Sequence, residues 1–178
     1  MSDDHKLPTI KTFTFSQRRS RSSKQTQEPL SWETANSMDC HLHMEWIAIG
    51  RVILGNDGLE FPLVQHTPAV YRIRIRSSAG SEAVYFGETA DLERRLNTHY
   101  RKPDPSQSQN VRLHKLFHEA LSAGAEIAVA VVAPGAWIDF GGTRYCADFS
   151  SKPERVLVEH AAIVESQRQH PEIESLNL

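Results

Sequence analysis

The stretch "AVYRIRIR", residues 69 to 76, alternates apolar and basic side chains without a break, and "EAVYFGET" follows it after the short "SSAGS". A period of two sends Tyr71, Ile73 and Ile75 to one face and Arg72, Arg74 and Arg76 to the other, as in a strand buried on one side. Small polar residues between two such runs are a hairpin-type connection. The chain must therefore build a sheet around this pair and cover its apolar face.

The covering elements are legible downstream. Asp91 is a helix-capping residue type, and "LERRLNTHYR" after it reads as a helix. With about 100° per residue, Leu92, Leu96 and Tyr100 share the apolar side, while Arg95 and His99 lie together on its edge. "KPDPSQSQ" is a polar loop. Asn110 can cap a second helix, "VRLHKLFHEALSAG", whose Leu113, Leu116, Phe117, Ala120 and Leu121 recur at helical spacing before Gly124. "EIAVAVV" reads as a buried third strand and residues 133–152 as irregular. A last helix, "ERVLVEHAAIVESQR", begins near Pro153. This order predicts an α/β fold: a small three-stranded sheet, mixed or antiparallel, flanked by helices.

Residues 1–38 are rich in Ser, Thr, Gln, Lys and Arg, with no helical or strand period and too little apolar surface to offset ordering. They read as a disordered basic arm. Residues 39–67, with the turn "GNDG", read as an extension ahead of a main domain at 68–178. The net charge of −2 excludes a global positive field, so any nucleic-acid contact has to come from a local patch. Cys40 and Cys146 lack metal-ligand spacing and fit a reducing compartment. No run is long and apolar enough to span a bilayer, and the start lacks a secretory core. The reading is a cytosolic protein without a membrane partner.

"AVY" (Ala69, Val70, Tyr71) and "YFG" (Tyr85, Phe86, Gly87), followed by Arg95 and His99 four residues apart, then "LVEHAAI" with Glu159, and "LN" at Leu176 and Asn177, form an ordered set. It resembles the GIY-YIG endonuclease family over about residues 68 to 178. Ala69 stands where that family's first motif has Gly, the spacing between the two strands is slightly long, and the stretch from Glu159 to Asn177 is extended.

The resemblance implies DNA phosphodiester hydrolysis with Mg²⁺ or Mn²⁺ held by Glu159. Tyr71 would activate water and Tyr85 would orient it or the phosphate. Arg95 would clamp the phosphate, and His99 would relay a proton or bond the phosphate. Asn177, in the Leu-Asn that closes the family domain, would contact the nucleic acid. The residue types suit these tasks. Mg²⁺ takes few protein oxygens and keeps several waters. A guanidinium is a permanent, planar fork for phosphate. A tyrosine acts as a base only where a cation favours its phenolate. Glu159 sits among Val156, Leu157, Ala161 and Ile163, an unusual setting for a solvated carboxylate; Glu154, at the helix start, is explained by the dipole.

Arg72, Arg74 and Arg76 either line a DNA groove or face solvent; the strand's direct lead into the site favours the groove. His114 and His118 have zinc-compatible spacing but no third ligand, and "CHLH" at 40–43 cannot easily close a tetrahedral site. The function expected is a DNA endonuclease, with a non-catalytic nucleic-acid-binding module on the same fold as the alternative.

Overall fold

In chain order, the described residues, 39–177, form strands β1 (Cys40–His43), β2 (Trp46–Gly55), β3 (Gly58–Glu60), β4 (Ala69–Arg76) and β5 (Glu82–Thr89), a short π-helix (Arg94–Tyr100) and helix α1 (Ser108–Ser122). Strands β6 (Glu126–Val132), β7 (Trp137–Phe140) and β8 (Thr143–Cys146), helix α2 (Lys152–Gln169) and the short β9 (Glu174–Ser175) complete the computed structural model. The arm expected at 1–38 lies outside the described residues.

The hairpin is as its alternation requires: β4 and β5 pair antiparallel from Ala69 opposite Thr89 to Arg76 opposite Glu82. β6 pairs antiparallel with the other edge of β4, Ile73 facing Val129. The sheet is larger than the expected three strands, running β3-β2-β6-β4-β5-β9 with only β9 parallel to its neighbour. Residues 39–67 are woven into it through β2, which pairs with β6. A register shift between Ala48 and Gly50 breaks the alternation of β2, and Ile47, Ile53 and Leu54 are exposed. A bulge of this kind hides a strand from a period-two reading.

A second sheet, β1-β7-β8, occupies much of the segment read as irregular. Its hairpin turns on Gly141 and Gly142, both at positive φ (57° and 84°), which is what a two-residue connection between twisted strands demands.

The main sheet is covered on both faces. Tyr71, Ile73, Tyr85, Ile127 and Val129 pack with Leu92, Leu96 and Tyr100 of the segment after β5 and with Leu113 and Phe117 of α1. On the opposite face Val70 and Val132 meet Val158 of α2, and Val84 and Phe86 meet Ala162. Each fully buried Leu, Ile, Val or Phe contributes about 1.5–3 kcal/mol, so the six-stranded sheet, not the hairpin alone, holds the fold. Asn110 does not cap α1: the helix begins two residues earlier, and Asn110 is buried in its first turn, donating to Gln107 Oε1 at 2.5 Å. No helix among the described residues is long and apolar enough to cross a membrane.

Candidate functional site

Tyr71 and Gly87 face each other across the β4–β5 ladder. The Tyr71 ring lies over Gly87 so closely that a Cβ there would sit 2.4 Å from its hydroxyl and 2.5 Å from Cζ. The glycine of "YFG" is thus required by a neighbouring ring rather than by its own backbone. Tyr71 is 1% exposed, and its hydroxyl shares a 2.6 Å hydrogen bond with that of Tyr100. Tyr85, Tyr71 and Tyr100 form a triangle of rings with centroids 6.3 to 6.4 Å apart. Burial pushes the Tyr71 hydroxyl far up from its ordinary value, with Tyr85 adding to the rise; Arg95 and the bond to Tyr100 oppose it. Burial raises Tyr100 likewise.

Tyr100 was hidden from the sequence reading as one more member of an apolar stripe. It reaches the site because the helix after β5 widens. Asp91 caps the segment as expected, its Oδ1 accepting the Arg94 N–H at 3.0 Å. From Arg94 the turn becomes π-helical. Five steps of about 100° would put Tyr100 well around the helix from Arg95. The i→i+5 bonding of a π-turn aligns them instead, and the Arg95 guanidinium carbon stands 5.8 Å from the centre of the Tyr100 ring.

Arg95 is half-buried: burial works against its charge, but Tyr71, Tyr100, Tyr85 and Glu88 outweigh it and hold its pKa above the usual value. His99 is pushed down by burial, then by Arg95 and Arg94, with Gln107 and Asp91 opposing. Both effects favour the uncharged ring, the form that accepts a proton.

The acidic side of the site comes from β5 and α2. Arg155, 4% exposed, donates from Nε to Glu88 Oε2 at 2.7 Å and from Nη1 to the carbonyls of Phe149 and Ser150 at 2.6 and 3.0 Å. Four residues along α2, hence on the same face, stands half-buried Glu159. Burial pushes its carboxyl up and Glu88 adds to the rise, while His160 and Arg95 pull it down. Arg95, Glu88 and Glu159 therefore sit within one another's fields. Glu88 and Arg155 were not singled out from sequence; "GET" and "PER" carry no pattern that reveals a pairing across 67 residues.

β9 pairs only with Ala83 and Val84, and Asn177 carries the contact two residues further, its Oδ1 accepting the Phe86 N–H at 2.8 Å and its Nδ2 donating to the Phe86 carbonyl at 2.7 Å. Asn177 therefore acts here as a strand surrogate beside "YFG".

The arginine row does not act as one face. Arg74 and Arg76 both pair with Glu82, whereas Arg72 lies 4.8 Å over the Trp46 ring. His114 donates from Nδ1 to the Tyr100 carbonyl at 2.8 Å, fixing the end of the π-helix, while His118 is exposed. "CHLH" is strand β1, paired with β7.

Glu159 is half-buried with Glu88 in its field and makes no ion pair among the described residues, while Glu88 is engaged by Arg155. His66, Asp91 and Glu93 offer ligand atoms within 4.8 Å of one another. There, however, His66 presents Nδ1 to Asp91 and Nε2 to Glu93, and the bond and charge of Asp91 push its pKa up. That is the geometry of an imidazolium bridging two acids, and a cation would have to displace it. No protein-family model, curated protein or solved structure matches the chain.

Proposed function

We propose that residues 68–178 form a GIY-YIG-type, metal-dependent endonuclease that hydrolyses DNA phosphodiester bonds, with Mg²⁺ or Mn²⁺ as cofactor. The observation that carries this reading is the setting of Arg95, which shares fields with three tyrosine hydroxyls on one side and with Glu88 and Glu159 on the other. A half-buried carboxyl with a second carboxylate beside it gains from a cation, and bound there a hard divalent ion would supply charge neutralisation at the phosphoryl oxygens.

The chain's own groups have separable tasks. Arg95 takes the scissile phosphate through its fork of N–H donors. Tyr85 orients the phosphate or the attacking water. Water's oxygen joins phosphorus as the bond to the leaving sugar oxygen breaks; the water's proton passes to His99, or to Tyr71 once it is a phenolate, and the leaving oxygen takes a proton from solvent. Arg155 holds Glu88 in place through its Nε bond, as a positioning residue. Both cysteines are free, which suits the reducing cytosol proposed for the protein.

One observation favours a second reading, a phosphate-binding module without turnover. Tyr71 is sealed from solvent with its hydroxyl occupied by Tyr100, a poor start for a base. Plasmid nicking by purified protein, with Mg²⁺ and with chelator, separates the two. The nuclease reading expects Mg²⁺-dependent nicking that Glu159→Gln abolishes and that Arg95→Lys lowers about 10²-fold or more, with DNA binding retained. Nicking unchanged in Glu159→Gln refutes the metal assignment, and binding without any nicking establishes the module.

A further inference from the structure

On the face of the sheet away from the tyrosines, β4, β5 and α2 enclose a cleft of about 280 Å³ bordered by Trp46, Arg72, Phe86, Ser166, Gln169 and His170. Arg72 is its one cation without an acid: among the described residues it makes no ion pair, while its strand neighbours Arg74 and Arg76 share Glu82. Its Nε is buried with no hydrogen-bond partner. The cation–π contact with Trp46 steadies the plane of the guanidinium but does not satisfy that N–H. Leaving a half-buried guanidinium uncompensated is costly, and the group that satisfies it best is an oxyanion reached by a fork of donors. Glu165 also borders the cleft, accepting from Gln169 Nε2 at 3.2 Å. It sits outside ion-pair reach of Arg72, so no acid among the described residues compensates the guanidinium.

We propose that this cleft is a phosphate-ester subsite in which Arg72 takes the phosphate, and Trp46, Phe86 and Val84 form the wall for the sugar or base attached to it. The phosphate can belong to a free nucleotide or to a nucleic-acid strand. The proposal goes beyond the nuclease reading and does not depend on it, because the subsite lies on the other face of the sheet from Tyr71.

The test is the Arg72 Nε–H resonance of the full-length protein, titrated at constant ionic strength with inorganic phosphate, thymidine 5′-monophosphate and a short single-stranded oligonucleotide. Saturable shifts of that resonance with any of the three support the subsite. Tighter binding of the monophosphate assigns a nucleotide, and tighter binding of the oligonucleotide assigns a strand. Arg72→Gln should weaken the favoured ligand about tenfold or more, the scale of one charge-assisted hydrogen bond, and Arg76→Gln should leave it within about twofold. If Arg72→Gln fails to fold, Arg72→Lys keeps the charge without the fork and should still weaken binding. No shift with any of the three ligands, or binding indifferent to both Arg72 variants, overturns the proposal. Nicking assays on the same samples score the nuclease reading separately.

Discussion

Gly87→Ala is the sharpest perturbation of the tyrosine cluster, since it adds one carbon and leaves every charge alone. Gly87 does not carry a positive φ, so alanine suits its extended backbone, and on that ground alone the change would stabilise by about 0.4–1 kcal/mol. Packing opposes it. The new carbon would lie 2.4 Å from the Tyr71 hydroxyl and 2.5 Å from Cζ, roughly 1 Å inside the about 3.5 Å of ordinary contact. Tyr71 cannot swing into water, being 1% exposed and hemmed by Tyr85 and Tyr100 at 6.3 and 6.4 Å between centroids.

Overpacking of this kind costs about 1–3 kcal/mol. Displacing the ring also strains the 2.6 Å bond to Tyr100, for about 1 kcal/mol more. The net loss is about 2–3 kcal/mol, or a fall in Tm of about 4–12 °C for a chain of this size. Urea unfolding with an unchanged m-value measures it. The double variant Gly87→Ala with Tyr71→Leu should be no less stable than Tyr71→Leu alone, because the clash is gone. Gly87→Ala as stable as the parent protein would refute the argument that this glycine exists to admit the tyrosine ring.

Three further outcomes are expected. Tyr71→Phe and Tyr100→Phe should each lose about 1–2 kcal/mol, and the double variant less than their sum, because both remove the same hydrogen bond; additive losses in a double-mutant cycle would mean that the bond is absent in solution. Asn177→Ala should lower stability by about 1–2 kcal/mol and speed hydrogen exchange at the Phe86 amide, and unchanged exchange would show that Asn177 does not hold the β5 edge. The Glu159 carboxyl is raised from 4.5 chiefly by burial, so between that value and its folded pKa the native state keeps a proton that the unfolded chain has released. Without metal, its contribution to stability therefore falls as pH rises through that window. Glu159→Gln should flatten the slope and be at least as stable as the parent protein at neutral pH, while losing the rise in Tm that Mg²⁺ gives the parent; a less stable Glu159→Gln would make Glu159 a structural partner instead.

The sequence by itself determined the elements whose order is local. Strict alternation placed β4, the apolar run after a hairpin-type turn placed β5, the apolar stripe placed the helices, and Asp91 and Pro153 marked two starts, because each is decided by neighbours a few residues apart. The family resemblance, not periodicity, brought Tyr71, Tyr85, Arg95, His99 and Glu159 forward as a set. The tertiary structure decided whatever depends on partners distant in the chain. The bulged β2 is recognisable as a strand only through its pairing with β6. Tyr100 turns toward Tyr71 and Arg95 only because the helix widens to a π-turn, which no residue spacing announces. Glu88 meets Arg155, and Asn177 meets Phe86, across 67 and 91 residues. Arg72 differs from Arg74 and Arg76, identical to it in pattern, only because Glu82 reaches two of the three. Periodicity assigns a side chain to a face; which groups share a field on that face is settled by packing.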